Sequence, residues 1–205
     1  MGTPGADPGP AEPRSEPSPE EGPRWLRDAE RIDVAVYAAI ARTPTPALDT
    51  AMNRVSRAAD YSKLWVAAAA MQVVLGGRRG RRAAVAGLAS VGVAAAVANL
   101  ALKPLGGRRR PERVVEQVPV ARWARMPGST AFPSGHSASA FAYATGVGHV
   151  LPIASIPLLG LAAVVSYSRV HVGVHYPGDV VAGALVGTML AQLTTRALDR
   201  SLAVS

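Results

Sequence analysis

Three short polar segments, each beside an apolar run, hold the residues of this chain whose types and spacing could do chemistry. They are Lys103 with Arg110-Pro111, Pro133-Ser134-Gly135-His136, and Ser168-Arg169 with His175 and Asp179. A charged side chain at membrane depth costs about 2.5–3.5 kcal/mol on insertion scales, so several such residues beside apolar helices indicate a function. Three cations, two imidazoles and one carboxylate suit the binding of a phosphate group and its transfer through histidine.

The spacing within the second and third segments predicts how they would act. Residues 133–136 open an apolar run, and the first N–H groups of a helix are unpaired and point towards a bound anion. Ser134 is therefore a candidate helix cap or anion ligand. His175 and Asp179 are four residues apart and share one face of a helix, where the carboxylate could bind one imidazole nitrogen and leave the other free to attack. Each segment alone has an ordinary structural explanation, and the prediction depends on finding all three in order.

Composition is typical of a membrane protein. Of the 205 residues 49% are hydrophobic but only 5% are aromatic, and small apolar residues let membrane helices pack closely. The chain has no cysteine, which excludes disulfides and thiolate metal sites. The net charge of +8 is carried almost wholly by arginines that flank apolar runs, which is typical of membrane orientation and contact with anionic lipids. No basic and aromatic surface indicates nucleic acid, so no nucleic-acid partner is expected.

The chain before residue 61 predicts a tail and two interfacial helices. Residues 1–23 are rich in proline and acidic residues and lack an apolar run, which predicts a disordered tail. Residues 24–60 carry two amphipathic patterns, separated by Thr43-Pro44-Thr45-Pro46, and their uncharged stretches are too short to cross about 30 Å of hydrocarbon. We therefore predict helices that lie in the membrane interface, with two ordinary helices of a soluble cap as the alternative.

Residues 61–198 predict the core of the protein, an all-α, polytopic membrane bundle with about five transmembrane helices. The predicted crossings are Ser62–Gly77, Ala83–Leu102, two within Pro127–Ser168 that are separated by a break near His149–Pro152, and about Pro177–Thr195. The polar residues at the ends of these crossings then fall on one side of the membrane: Lys103, His136, Arg169 and His175. The loop 76–82 falls on the other side.

A multi-pass protein of the cell membrane is expected, but two charge criteria disagree about the side that carries the polar segments. The short basic loop at 78–82 is typical of the cytoplasmic side, which would put the polar segments outside. Of the 22 Lys and Arg residues, however, sixteen fall on the side of the polar segments and six on the other, which favours the cytoplasm. The sequence therefore leaves the orientation open, and it gives no oligomeric state.

Together the three segments resemble the motifs of the type 2 phosphatidic acid phosphatase (PAP2) family, whose site is shared by vanadium-dependent haloperoxidases. The family pattern is Lys, six residues, Arg-Pro; then Pro-Ser-Gly-His; then Ser-Arg, five residues, His, three residues, Asp, and this chain matches every position. The resemblance implies a phosphatase without metal or cofactor. In it His175 would form a phosphohistidine, Asp179 would orient His175, and His136 would act as acid and then as base. The groups implied to hold the phosphoryl oxygens are Lys103, Arg110, Ser134, Gly135 and Arg169.

The resemblance also implies a lipid phosphate as the substrate and membrane lipids as neighbours. Residues 43–49 and 59–65 are similar to small family members that act on polyprenyl-linked phosphates, and decaprenylphosphoryl-5-phosphoribose is the expected substrate. Undecaprenyl diphosphate, phosphatidylglycerol phosphate and phosphatidic acid are the alternatives. Three neighbouring residues are expected at most to support head-group binding: Arg108, Arg109 and His171.

Two other classes of protein use or inherit such a site. A vanadate-dependent haloperoxidase is soluble, whereas this chain has many uncharged apolar runs. A non-catalytic lipid-binding membrane protein would carry degenerate motifs, and none is degenerate here. A membrane lipid phosphatase is therefore the favoured class.

Overall fold

The computed structural model describes residues 23–204, which form helices and connecting segments without a strand. The helices are α1 Arg24–Arg42, α2 Pro46–Ala58, α3 Lys63–Leu75, α4 Gly77–Ala96, α5 Lys103–Gly106, α6 Gly135–Val150, α7 Pro152–His171 and α8 Pro177–Val204. Short 3-10 turns lie at Asp60–Ser62 and Val120–Arg122, and a π-helical turn, Val97–Leu102, joins α4 to α5. The all-α prediction is confirmed. The predicted tail, residues 1–23, lies outside the described residues except for its last position.

Helices α1 and α2 occupy the segment that predicted two amphipathic helices. Pro46 opens α2, where its missing N–H removes no helical hydrogen bond and its fixed φ suits the first turn. Helix α1 buries Tyr37 and Ala41 but leaves large apolar side chains such as Trp25 and Ile32 exposed. An exposed apolar stripe on an amphipathic helix suits a membrane interface, and the interfacial position of α1 stays a prediction.

Helix α6 forms the centre of the bundle and packs against α4, α7 and α8. Small residues let these helices approach closely. A Cβ on Gly187 of α8 would lie 2.1 Å from the carbonyl oxygen of Ala138, and a Cβ on Gly87 of α4 would lie 2.8 Å from the Tyr143 ring. Packing of this kind is typical of membrane helices, and it explains why the chain is rich in Ala and Gly but poor in aromatic residues.

Within residues 23–204, three helical stretches are long and apolar enough to cross a membrane: Gly77–Leu105, Pro152–His171 and Pro177–Ser201. Helix α3, with 13 residues, and α6, with 16, are shorter than the roughly 20 residues of a full crossing. The predicted break between the third and fourth crossings is present, because α6 ends at Val150 and α7 begins at Pro152. The count of five crossings stays a prediction.

The two ends of the bundle carry different polar groups. At one end Arg81 and Arg82 of α4 line a groove with His149 and Asp199, whose side chains are 2.8 Å apart. At the other end lie the last turn of α7, the first turns of α6 and α8, and the segment that follows α4. This second end holds the three polar segments.

Candidate active site

Backbone hydrogen bonds join the polar segments at this end of the bundle. The N–H of Ser134, just before α6, donates to the carbonyl of Asp179 in the first turn of α8 at 2.9 Å. The loop after α5 is held in the same way, since the N–H of Ala131 donates to the carbonyl of Arg108 at 2.9 Å. Segments that are far apart in sequence are therefore fixed side by side before any side chain takes part.

His175 lies buried in the connection between α7 and α8, one helical turn before Asp179. Its Nδ1 is buried and faces Oδ2 of Asp179 at 3.4 Å, an ion-pair distance at which the two atoms make no hydrogen bond, and its Nε2 is 3.3 Å from Nη1 of Arg110. The carboxylate is fixed in turn, because Oδ2 accepts from the N–H of Tyr176 at 2.9 Å and Oδ1 accepts from Arg108 at 3.0 Å. Since a guanidinium group only donates, Nε2 is the acceptor and Nδ1 carries the proton that faces Asp179.

Burial determines the protonation state of His175. Its removal from water disfavours the imidazolium and lowers the pKa of His175 to about 4, with a smaller contribution in the same direction from Arg110, although contact with Asp179 opposes the shift. The imidazole is therefore neutral at pH 7, and Nε2 carries an unprotonated lone pair, which accepts from Arg110 in this structure.

Hydrogen bonds to the protein fix the predicted cations around this histidine. Arg110 donates from Nη1 to the carbonyl of Val174 at 2.7 Å, close to His175 in the chain. Lys103 donates to Oδ1 of Asn99 at 2.8 Å, and its Nζ lies 3.6 Å from the place where a Cβ on Gly135 would sit. A glycine at position 135 therefore leaves room for an ammonium group beside the N-terminus of α6, where unpaired N–H groups also favour an anion.

Ser134 and Arg169 complete the set of predicted phosphate-binding residues. Ser134 caps α6, because its Oγ accepts from the N–H of Ser137 at 3.4 Å. Arg169 is buried near the end of α7 and donates to Oγ of Ser56 at 2.5 Å. Ser56 belongs to α2, so the N-terminal helices contribute directly to the position of this guanidinium group.

His136, in the first turn of α6, has a partner that the three segments do not contain. Its Nε2 lies 3.0 Å from Oδ1 of Asp60, in the turn before α3, and Asp60 in turn lies 3.7 Å from Nη1 of Arg169. These three residues, with Arg125, line a cleft of about 340 Å³. His136 also lines a smaller cleft, of about 160 Å³, with Lys103.

The structure thus brings all eight predicted site residues to one end of the bundle: Lys103, Arg110, Ser134, Gly135, His136, Arg169, His175 and Asp179. Both imidazoles lie at this end, as a single phosphoryl group would require. The arrangement brings together a neutral imidazole, a second imidazole that lines two clefts, and hydrogen-bond donors held in fixed positions.

Two of the three residues expected to support head-group binding have partners within the protein. Arg108 bridges Asp33 of α1, at 2.7 Å, and Asp179, at 3.0 Å, so it supports the carboxylate behind His175. His171 is buried with its Nε2 2.9 Å from Oδ1 of Asp49. Arg109 is exposed. The sequence did not indicate which partner each of these residues takes.

A buried ion pair that the sequence did not predict holds α2 against the Val120–Arg122 turn and the end of α1. Arg122 is fully buried, donates from Nε to Asp49 at 2.7 Å, and also binds carbonyl groups at the end of α1. Burial alone would raise the pKa of Asp49. Hydrogen bonds from His171, Thr45 and Arg122 outweigh this effect and lower the pKa of Asp49 below its usual value. The segment around Thr45 therefore has a structural role, which is to hold α2 where it can contact Arg169.

No group of three or more His, Cys, Asp or Glu side chains in the part of the chain from 23 to 204 is close enough together to hold a metal ion. Metal-free catalysis stays a prediction.

Comparison with known proteins identifies the family. The model of the PAP2 superfamily matches residues 83–202, more than half of the chain, and the chain therefore belongs to the PAP2 superfamily. The decaprenylphosphoryl-5-phosphoribose phosphatase of Mycobacterium tuberculosis is 32% identical over 171 residues, which cover 80% of this chain and 90% of that protein. The lipid A 4'-phosphatase of Bacteroides thetaiotaomicron is 37% identical over 94 residues, which cover 43% of this chain and 42% of that protein.

Two solved structures share the fold. Aquifex aeolicus LpxE covers 80% of this chain and 95% of its own, with a TM-score of 0.64 and 22% identity. The PAP2-type phosphatidylglycerolphosphate phosphatase from Bacillus subtilis covers 85% of this chain and 87% of its own, with a TM-score of 0.66 and 23% identity. The bundle is therefore that of PAP2 membrane phosphatases.

The family and the named relatives define the class of enzyme. The chain is a PAP2-type phosphatase, a hydrolase of lipid phosphates, and a membrane protein. The family membership expected from the three polar segments is confirmed.

Proposed function

We propose that this phosphatase hydrolyses a phosphate ester of a polyprenyl-linked lipid through a phosphohistidine on His175. In the first step Nε2 of His175 forms a bond to phosphorus, the bond from phosphorus to the lipid oxygen breaks, and His136 gives that oxygen a proton. In the second step water attacks phosphorus, His136 takes a proton from the water, the phosphorus–nitrogen bond breaks, and inorganic phosphate leaves. The observation that carries this proposal is the buried, neutral His175 held between Asp179 and Arg110.

The surrounding cations would stabilise the charge of the group in transfer. A phosphoryl group in transit spreads negative charge over three oxygens. Lys103, Arg110 and Arg169 and the N-terminus of α6 present donors that hydrogen bonds already hold in place. Because these donors are already fixed, they need no reorientation during the reaction, and they therefore lower the free energy of the transition state.

Decaprenylphosphoryl-5-phosphoribose is the proposed substrate. The mycobacterial relative named for this lipid matches along 80% of the chain, whereas the lipid A relative matches along 43%. The position of the site at one end of the bundle would let a head group sit at the membrane surface while its prenyl tail lies along the helices. We accordingly propose that the chain is a multi-pass protein of the cell membrane.

A phosphate-release panel on purified protein tests both the reaction and the substrate. It compares decaprenylphosphoryl-5-phosphoribose with undecaprenyl diphosphate, phosphatidylglycerol phosphate and phosphatidic acid, in the presence of EDTA. We expect the first lipid to be hydrolysed with the highest kcat/KM. His175→Ala should abolish release, because the nucleophile is lost, and His136→Ala should lower kcat by about 10²–10⁴-fold, the usual contribution of a general acid.

His149→Ala is the matched control, because His149 also contacts an aspartate but lies at the opposite end of the bundle. It should leave phosphate release unchanged. Near-normal release by His175→Ala would refute the phosphohistidine mechanism. Loss of activity in EDTA that Mg²⁺ restores would refute the metal-free reaction. A higher kcat/KM for another lipid of the panel would replace the proposed substrate and leave the mechanism intact.

A further inference from the structure

We propose that Asp60 is a positioning residue for His136: its carboxylate orients the imidazole through Nε2, stabilises the protonated ring, and leaves Nδ1 as the atom that exchanges the proton. This inference rests on the proposed function, and it adds a residue that lies outside the three polar segments.

The contact between the two side chains determines which imidazole nitrogen is free. Oδ1 of Asp60 lies 3.0 Å from Nε2 of His136. An ionised carboxylate only accepts, so Nε2 carries the hydrogen of this bond. In the neutral ring Nδ1 then holds the lone pair that can take a proton from water. In the charged ring Nδ1–H is the proton left to give to the departing lipid oxygen.

Asp60 is also the source of negative charge at this position. Charged and titratable groups face His136 from several elements. They are Arg169 of α7, His175 of the α7–α8 connection, Lys103 at the start of α5, Arg125 of the loop before α6, and Asp60 and Tyr61 of the turn before α3. Among the described residues that line the two clefts around His136, Asp60 is the only carboxylate. Burial and the neighbouring cations, Arg169 above all, disfavour a protonated imidazole at this position, and Asp60 acts in the opposite direction.

The backbone around Asp60 supports a functional role. The next two residues, Tyr61 and Ser62, have φ values of 56° and 58°, in the left-handed region that residues other than glycine seldom adopt. Such conformations persist where the surroundings enforce them, and they are found at functional sites more than elsewhere. Here the turn places Asp60 against His136 and Arg169 while Tyr61 stays exposed.

The test compares kcat/KM for two leaving groups, since this ratio reports the steps up to departure of the leaving group. One substrate is the alkyl phosphate lipid that wild-type protein hydrolyses fastest in the panel above, and the other is 4-nitrophenyl phosphate, whose leaving group needs no proton. Asp60→Asn should lower kcat/KM about 10–100-fold for the lipid but less than about threefold for the aryl phosphate, because only the lipid depends on the general acid. His136→Ala should show the same pattern with a larger loss for the lipid.

The pH profile is a second readout, which a merely structural role would not move. Without the carboxylate the protonated His136 is less stable, so the alkaline limb of kcat/KM for the lipid should move to lower pH by about one unit in Asp60→Asn. Asp60→Glu keeps the charge and should keep the wild-type profile, which makes it the variant of choice if Asp60→Asn folds poorly. Asp199→Asn is the matched control, because Asp199 lies 2.8 Å from His149 at the other end of the bundle, and it should change neither readout.

Two results would overturn the inference. Equal losses for both substrates with an unmoved pH profile would show that Asp60 only supports the fold. An unchanged kcat with a lower KM in Asp60→Asn would show that Asp60 is a counter-ion of Arg169 that phosphate displaces. Failure of wild-type protein to release phosphate, or full activity of His175→Ala, would instead refute the proposed function, so the two failures are distinguishable.

Discussion

Each of the four histidines of this chain contacts an aspartate, yet the four pairs differ in what they can do. The pairs are His136–Asp60, His149–Asp199, His171–Asp49 and His175–Asp179. The surroundings of the imidazole make the difference. The ring of His171 is buried beside a carboxylate that already binds Arg122, whereas Nε2 of His175 faces Arg110 and the ring of His136 faces two clefts. A His–Asp contact is therefore a poor indicator of catalysis without the environment of the second nitrogen.

The buried environment of His175 predicts an unusual titration. In the free enzyme the His175 imidazole should take up its proton near pH 4, because burial lowers its pKa to about 4, whereas an ordinary imidazole titrates near pH 6.5. The measurement is a proton–carbon NMR titration of histidine-labelled protein in detergent, with His175→Gln to assign the signal. A titration of this ring between pH 6 and 7 would contradict the burial argument.

The same difference makes the stability of the fold depend on pH. Between about pH 6.5 and 4 the unfolded chain binds a proton at position 175 that the folded chain does not bind. The unfolded state therefore gains stability relative to the folded state as the pH falls through this window. His175→Gln should remove this part of the acid destabilisation.

Only one of the four His–Asp pairs was predictable from the sequence. His175 and Asp179 are four residues apart, and the sequence predicted their contact from a shared helix face. The contact is present, although His175 lies in the connection before α8 and only Asp179 lies in the helix. The partners of His136 and His171 are 76 and 122 residues away, so no local pattern indicates them. Spacing predicts neighbours within an element, whereas these contacts depend on how α2 and the turn before α3 pack against α6 and α7.

At the scale of elements, apolar runs predicted where helices lie better than where they begin and end. The run Ala83–Leu102 lies inside a longer helical stretch, Gly77–Leu105, whose first turns carry four arginines. Charged side chains at a helix end reach water and do not prevent the helix from continuing. A prediction based on the uncharged run alone therefore gives a helix that is too short. The N-terminal helices were predicted from their amphipathic patterns, but their contact with Arg169 through Ser56 was not.

Glycine positions predict how tightly α8 packs on α6. Gly187→Ala should lower the free energy of unfolding by about 1–3 kcal/mol, the usual cost of overpacking, because its Cβ would lie 2.1 Å from the carbonyl oxygen of Ala138. Gly92→Ala in α4 is the control, because its Cβ would point into open space and meet no neighbouring element. Thermal unfolding in one detergent measures both, and equal midpoints for the two variants would contradict close packing of α8 on α6.

At the scale of the whole molecule, the two ends of the bundle keep two sets of polar groups apart. One end holds the eight predicted site residues, and the other holds the groove of Arg81, Arg82, His149 and Asp199. Helices α4, α7 and α8 connect these ends and are each long and apolar enough to cross a membrane. The predicted topology follows if the membrane lies between the two ends, with the site at one surface and the basic groove at the other.

The absence of cysteine makes this topology directly measurable. Arg79 and Arg109 are exposed at opposite ends of the bundle, so single cysteines introduced as Arg79→Cys and Arg109→Cys should react with a membrane-impermeant maleimide from opposite sides of the membrane. In intact cells one variant should be labelled at once and the other only after lysis. Asp199→Cys should follow Arg79→Cys, because both lie at the end away from the site. Labelling of Arg79→Cys and Arg109→Cys from the same side would contradict a membrane between the two ends. The variant that is labelled in intact cells identifies the end that faces the outside, and this result decides between the two charge criteria.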